Sequence, residues 1–250
     1  MSLALQTSVF TRDAGLAFVF FIAFSLMAVL GVRFGLYAYL NGSRTEIEAQ
    51  APLWRYLQWV GLTAAVYGAL GVVEAATAVT PGTTVVPTPY RDGVLLAFLL
   101  TLALTMREID TNDALANAGR AATDSGGRRA VEAAFALLIA VSLVGSLAVG
   151  SPDALTALEG ATALAVASYG LVYGRRHLAR SAVRGTLLDS LLRHLLPVVA
   201  FALLVSIVDL TLLLGLPVAV VRHVQVVFVI MTATTLMTAT IKLRQNVAGL

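Results

Sequence analysis

Residues 219–243 read "AVVRHVQVVFVIMTATTLMTATIKL", with charged side chains only near the two ends, at Arg222 and Lys242. A helix crosses the hydrocarbon core of a bilayer, about 30 Å thick, with about 20 apolar residues. At about 1.5 Å per residue, the distance from Arg222 to Lys242 along a helix is about 30 Å. The stretch therefore predicts a transmembrane helix bounded by those two charges.

Six earlier runs have the same continuously apolar character, which identifies buried or membrane helices better than any period does. They cover about residues 14–40, 53–79, 92–107, 129–149, 153–174 and 187–215. The third is short, and the sixth is long enough to extend beyond a membrane. Because lipid cannot satisfy open backbone groups, we predict an all-α fold, a single seven-transmembrane-helix bundle over residues 1–250.

Composition agrees with a membrane protein and excludes several other classes. The chain is 58% hydrophobic and 12% charged, whereas soluble domains carry about 25% charged residues. It has no cysteine, so disulfides and thiolate metal sites are excluded. The three histidines lack metal-ligand spacing. Motifs of metalloproteases, serine hydrolases and nucleotide-binding enzymes are absent from the sequence. We predict a non-enzymatic, multi-pass protein of the cell membrane, with the lipid bilayer as its first partner, no catalytic residue, no metal and no nucleic acid.

Basic residues indicate the orientation of the predicted bundle. Of the 17 basic residues, only Arg12, Arg91 and Arg222 flank one set of helix ends, which leaves 14 at the other set. Cytoplasmic loops collect arginine and lysine. The amino terminus is therefore predicted to lie outside the cell and the carboxyl terminus in the cytoplasm. The segment 80–93 between the second and third helices, rich in proline and β-branched residues, predicts an extended or hairpin-like loop.

Ionisable residues within membrane spans are candidates for function. Three acids fall in the predicted outer halves of their helices: Glu74, Glu159 and Asp209. Other polar candidates near that side are Arg91, Arg222, His223 and Tyr67. These residues predict a cation or proton site, or a pocket for a small polar ligand. The alternative is that each acid reaches water or pairs with an arginine separately.

Features toward the cytoplasmic side have simpler interpretations. Asp189 and Arg193, four residues apart, predict an ion pair within one helix. Arg33 predicts a contact with Asp189 or with a lipid phosphate. The aromatic residues Trp54, Tyr56 and Trp59 predict a belt at the membrane interface. Small residues predict close helix packing in the second span; they are Gly61, Ala64, Ala65, Gly68 and Gly71.

Two short motifs resemble the microbial rhodopsins of archaeal type. "IKLRQ" at 241–245 is similar to the end of their last helix, and "LLPVV" at 195–199 is similar to their proline-bearing sixth helix. The chain length and seven-helix outline agree. In that family a lysine in the last helix binds retinal as a Schiff base. Here the matching position falls on Thr235, and Lys242, the only lysine, lies at the predicted inner interface as an anchoring charge.

Other positions also depart from the family. The aromatic residues that clamp retinal in its sixth helix are replaced here by Arg193, Leu196 and Ala200. The third helix has Arg91 and Asp92 side by side at its outer mouth, with no acid deeper in the predicted span. The resemblance therefore implies a rhodopsin-like bundle that lacks the retinal Schiff-base lysine and the proton relay.

Two functions follow as expectations. The first is an opsin-like protein without covalent retinal, with a sensory, regulatory or partner-binding role, whose partner is a cytoplasmic or membrane protein. A non-covalent apolar ligand, such as a retinoid or carotenoid, is compatible with this role, although no residue specifies a pocket. The alternative is a small ion or proton transporter or channel that uses Glu74, Glu159 and Asp209.

Overall fold

The computed structural model describes residues 13–44, 50–80, 90–118, 125–148, 152–180 and 187–249. They form seven α-helices, and no strand occurs in those ranges, which confirms the all-α prediction. The helices are α1 Ala14–Arg44, α2 Ala51–Val79, α3 Arg91–Ala118, α4 Ser125–Ala148, α5 Pro152–Arg180, α6 Leu187–Leu210 and α7 Val218–Ala248. All except α3 are long and apolar enough to cross a membrane.

Helix α3 differs from the others because it lies inside the bundle. It packs against α2, α4, α5 and α6, and none of its residues from 91 to 111 is exposed. Its uncharged stretch, residues 93–106, rises only about 21 Å. A helix enclosed by protein has little lipid-facing surface, so it does not need the apolar length of a helix that faces the bilayer.

Each helix packs against the next one along the chain, and α7 returns to pack against α1. Consecutive helices run antiparallel. We call the end where α1 begins the amino end of the bundle, and the end where α7 finishes the carboxyl end. This arrangement of seven helices is compatible with a rhodopsin-like fold.

Several helix boundaries differ from the sequence prediction. Helix α6 ends at Leu210 instead of continuing to residue 215, because residues 211–215 form a turn that finishes at Gly215 with φ 83°. Helices α3 and α5 extend beyond their predicted ends, to Ala118 and Arg180, through alanine and charged residues that favour helix. Most of the predicted loop 80–93 lies outside the described residues.

Glycines bring α1 and α2 into backbone contact, as predicted for the small residues of the second span. A Cβ atom added at Gly61 would lie 2.3 Å from the amide nitrogen of Gly35, and one at Gly31 would lie 2.4 Å from that of Ala65. Gly68 is equally close to Ala28. Any larger side chain at Gly31 or Gly61 would therefore push the two helices apart.

Asn41 ties α1 to α7 at the carboxyl end. Its side-chain amide donates to the carbonyl oxygens of Tyr37 and Leu243, at 2.7 and 3.0 Å. Its Oδ1 accepts from Asn246 at 2.5 Å. Asn41 is buried, so all of these bonds replace bonds to water.

The predicted aromatic belt is only partly at the surface. Trp59 is exposed and Tyr56 is half-buried. Trp54 is buried in the core instead, beside Gly42, whose missing side chain leaves room for the indole. The predicted pair within α6 is confirmed, since Arg193 Nη2 lies 3.1 Å from Asp189 Oδ2.

Candidate functional site

A layer of charged and polar side chains lies inside the amino end of the bundle. We call it the charged cluster. Its members are Glu74 from α2, Arg91 and Asp92 from α3, Glu159 from α5, Asp209 from α6, and Arg222 and Gln225 from α7. Five helices contribute to it. Because consecutive helices run in opposite directions, the carboxyl ends of α2 and α6 lie beside the amino ends of α3, α5 and α7.

Arg91 is the cation on the α2 side of the cluster. Its Nη1 donates to Glu74 Oε2 at 2.6 Å, and its Nε lies 3.6 Å from Asp92 Oδ1. The guanidinium also lies over the ring of Phe24, 5.5 Å from the centroid. A charge-assisted hydrogen bond and a cation–π contact stabilise a buried arginine that has left water.

Arg222 is the second cation, on the α7 side. Its Nη1 donates to Gln225 Oε1 at 2.5 Å and lies 3.8 Å from Asp209 Oδ1. Gln225 Nε2 in turn donates to Asp209 Oδ2 at 2.9 Å. The Gln225 amide therefore links the guanidinium to the carboxylate, with a hydrogen bond on each side.

In the part of the chain that the structure describes, Glu159 forms no ion pair with an arginine. Its Oε1 accepts a hydrogen bond from Ser142 of α4 at 2.5 Å. The residue lines a cavity of about 30 Å³ together with Asp92, Thr156, Ser206, Asp209 and Arg222. By the same measure one water molecule needs about 10–15 Å³, so the cavity is the size of a small hydrated site rather than of an organic ligand.

Several atoms of the cluster are buried without a hydrogen bond. They are Arg91 Nε, Asp92 Oδ1, Asp209 Oδ1 and Arg222 Nε. Buried polar atoms usually bond to protein or to ordered water. The cavity is lined by Asp92, Asp209 and Arg222. The side chains of these residues can therefore change hydrogen-bond partners there.

The cluster carries more acids than bases. It holds four carboxyl groups and two guanidinium groups, a formal excess of two negative charges if every group is ionised. In surroundings of low dielectric constant an unbalanced pair of carboxylates attracts a cation or a proton. In the described residues no three His, Asp or Glu side chains are placed to hold a metal ion.

The structure brings most of the sequence-predicted residues together. Glu159, Asp209 and Arg222 share the cavity, and Glu74 and Arg91 form the adjoining ion pair. Tyr67 is buried next to this pair, with its ring edge-on to Phe24 at 5.5 Å. His223 lies apart: its side chain is 58% exposed, and its Nε2 lies 3.7 Å from Asp13 Oδ2.

Sequence reasoning missed three members of the site. Asp92 faces the cavity although it was interpreted only as a charge at the helix mouth. Gln225 follows Arg222 by three residues, a spacing that places both on one helix face and that could have identified it. Ser142 had no such signal, because a lone serine in an apolar helix commonly bonds only to its own backbone.

A second charged group lies near the carboxyl end. Arg107 of α3 contacts Glu132 of α4 and lies 3.1 Å from Glu108, while the Tyr169 hydroxyl donates to Glu132 at 3.3 Å. Along α3, Arg107 is about 24 Å from Arg91. Between them α3 buries Leu95, Leu96, Phe98, Leu99, Leu102 and Met106. An apolar layer therefore separates the two charged ends.

The last helix does not place an amine in the core. Lys242 is half-buried, six residues before α7 ends. The hydroxyl of Thr235, at the position that matches the rhodopsin lysine, donates to the carbonyl oxygen of Met231 in its own helix. Thr232 and Leu236 face the core at this level instead.

The comparisons with known proteins identify no relatives. No protein-family model matches the chain, and no curated protein or solved structure is significantly similar to it. The interpretation of the site therefore depends on its geometry.

Proposed function

We propose that the protein is a non-enzymatic membrane protein that binds and moves protons through the charged cluster, as a small transporter or channel. The main observation in support is the cavity lined by Glu159, Asp209, Asp92 and Arg222. It brings two of the predicted acids to one place with an unbalanced negative charge. Polar residues inside a membrane bundle usually mark ion or proton pathways.

Glu159 is the residue proposed to exchange the proton. It lines the cavity, and within the described ranges the only hydrogen bond of its side chain is to the Ser142 hydroxyl. A hydroxyl can donate to the carboxylate, or accept from the carboxylic acid after a rotation of its O–H bond. The Glu159–Ser142 contact can therefore persist in both protonation states.

Asp209 and Arg222 have a different proposed role. The guanidinium is linked to the carboxylate through Gln225. In this proposal the positive charge of the Arg222 guanidinium sets the electrostatic potential at Glu159. A neutral Glu159 leaves one other carboxylate, that of Asp92, in the cavity beside Asp209, and an ionised Glu159 makes it two.

The apolar layer between the two charged ends supports alternating access rather than an open pore. Leu99, Leu102 and Met106 are buried between Arg91 and Arg107. A proton bound at the cavity must wait for helix rearrangement or transient hydration of this layer to reach the other end. The expected transport is therefore slower than through a continuous water-filled channel.

The test is proton flux into liposomes that contain the purified protein and a pH-sensitive dye. With an inward proton gradient and a potassium-valinomycin clamp, the native chain should acidify the lumen faster than empty liposomes. Glu159→Gln should reduce this rate by at least about tenfold, equivalent to ~1.4 kcal/mol in the barrier. Glutamine keeps an oxygen that accepts from Ser142, so folding should be preserved.

Asp13→Asn is the matched control. Asp13 is an acid at the same end, 46% exposed and outside the cavity, so its substitution should leave the flux unchanged. Equal rates for native protein and empty liposomes would refute proton transport. Equal rates for the native and Glu159→Gln chains would remove Glu159 from the pathway.

The sensory or partner-binding role, and any non-covalent retinoid or carotenoid, stay predictions. The cavity of about 30 Å³ at the charged cluster is far smaller than the 300–1,000 Å³ typical of sites for organic ligands. At the charged cluster, proton binding therefore has better geometric support than binding of an organic ligand.

A further inference from the structure

A groove runs along the outside of the α1–α2 pair, where the two helices touch through glycine. Gly31 and Gly35 of α1 and Gly61 of α2 form its floor, and Val32, Leu36 and Leu62 form its apolar walls. Its volume is about 540 Å³, within the range of sites that hold organic molecules. The groove exists because the glycines bring the backbones together and add no side chains to fill the seam.

One end of the groove is polar. Arg55, Gln58, Tyr39 and Trp59 line it there. Tyrosine and tryptophan are enriched where membranes meet water, at the level of lipid head groups. Helix α2 begins at Ala51. The positive end of its dipole therefore also lies at the polar end of the groove. The groove is thus amphipathic along its length, apolar inside and cationic at the interface.

Two arginines border this seam without a partner from the described part of the chain. Arg55 and Arg33 are both exposed, and neither forms an ion pair or hydrogen bond with a described residue. Arg33 lines an adjoining groove of about 480 Å³ that shares Val32 and Ala65 with the first. It lies about 9 Å along α1 from Tyr39. Among the described residues, no acid lines either groove.

The geometry points to a binding site for one anionic phospholipid of the surrounding bilayer in this groove. The phosphate lies against Arg55, whose planar guanidinium matches phosphate oxygens, and Gln58 and Tyr39 supply further polar contacts. One acyl chain lies over Gly31, Gly35 and Gly61. The groove distance from Tyr39 to Gly31 is about 12 Å along α1, long enough to hold the upper part of a chain.

A lipid accounts for the pattern better than a protein helix does. The cations stand at one end and beside the seam, and the polar side chains of Gln58 and Tyr39 lie at that same end, while the rest of the lining is apolar or small. A head group with one negative charge and an apolar tail matches that division. Clusters of basic residues beside membrane helices recognise anionic lipids by the same charge complementarity.

The test is native mass spectrometry of the full chain in detergent, titrated with equimolar dioleoyl phosphatidylglycerol and dioleoyl phosphatidylcholine. The native protein should retain one phosphatidylglycerol with an affinity at least about tenfold above that for phosphatidylcholine. Arg55→Gln should remove this preference while some binding of both lipids persists. Arg33→Gln should weaken it by a smaller factor.

Two further variants separate the groove from general surface charge. Gly35→Leu should block both lipids by filling the floor, and it is chosen because a Cβ at this position meets its nearest neighbour at 3.6 Å, without the close backbone contact found at Gly31 and Gly61. Arg244→Gln removes an exposed arginine near the end of α7 and should change nothing. Thermal unfolding of each variant, followed by circular dichroism, checks the fold.

Equal retention of the two lipids by the native protein would overturn the proposal. An unchanged preference in Arg55→Gln would overturn it too. A mass that shows a second copy of the chain, or another polypeptide, retained by the native protein and lost from Gly35→Leu would assign the groove to a protein partner instead.

Discussion

Arg91 and Glu74 join α3 to α2 through a hydrogen bond of 2.6 Å, with only 6% and 10% of their side chains exposed. The pair lies at the point where the enclosed helix begins. A buried ion pair adds little stability over a well-packed apolar pair, but the loss of one partner leaves a buried charge unpaired. The bond therefore fixes the position of α3 more than it strengthens the bundle.

Glu74→Gln should destabilise the protein markedly, by about 3–5 kcal/mol as for other broken buried pairs. The measurement is thermal unfolding in detergent. His223→Gln is the control, because it breaks an exposed contact with Asp13 and should change stability by less than about 0.5 kcal/mol. A double variant, Glu74→Leu with Arg91→Met, should be more stable than Glu74→Gln alone. If it is less stable, the cost does not come from an unpaired charge.

Gly61→Ala should destabilise the α1–α2 contact. The added methyl group would lie 2.3 Å from the Gly35 nitrogen, and overpacking of this kind costs about 1–3 kcal/mol. Gly35→Ala is the matched control, since its methyl group meets atoms no closer than 3.6 Å. Unfolding temperatures of the two variants give the comparison. Equal values would mean that the helices separate at no cost.

Asn41→Ala should loosen the end of α7. It removes the donor to the Leu243 carbonyl and the acceptor for Asn246, at a cost of about 1–3 kcal/mol for the groups left unsatisfied. Hydrogen exchange should become faster for residues 243–248 and stay unchanged in the middle of α7. Ser43→Ala is the control, because that hydroxyl bonds only to Leu40 in its own helix.

The predicted orientation can be tested directly because the chain has no cysteine. Asp13→Cys and Arg244→Cys place single thiols at exposed positions at opposite ends. A membrane-impermeant maleimide should label the first in intact cells and the second only after the cells are permeabilised. The reverse pattern would place the amino end in the cytoplasm and would contradict the interpretation of the basic residues.

Much of this fold could be predicted from apolar runs alone. The span before Lys242 and all six of the others appear in the structure as long helices, and all except α3 are apolar enough to cross a membrane. The end of α6 could not be predicted, because residues 211–215 are as apolar as the helix before them. Their turn depends on Gly215 and on local geometry, not on hydropathy.

The site could be predicted only in part. Membrane depth suggested Glu159 and Asp209 because acids are costly in an apolar span. The depth of a residue in the membrane does not show to which side of its helix the side chain points, however. It could not show that His223 faces outward to Asp13, or that Asp92 faces inward to the cavity. Those facts depend on which helices are neighbours.

The enclosure of α3 also decides how many times the chain crosses the bundle. Six of the seven helices are long and apolar enough to cross a membrane. If only those six crossed it, the even number would leave both chain ends in the same compartment. If α3 also spans the membrane, from the level of Glu74 to the level of Glu132, the number is odd. We therefore predict that the membrane separates a fusion tag on one end from a tag on the other.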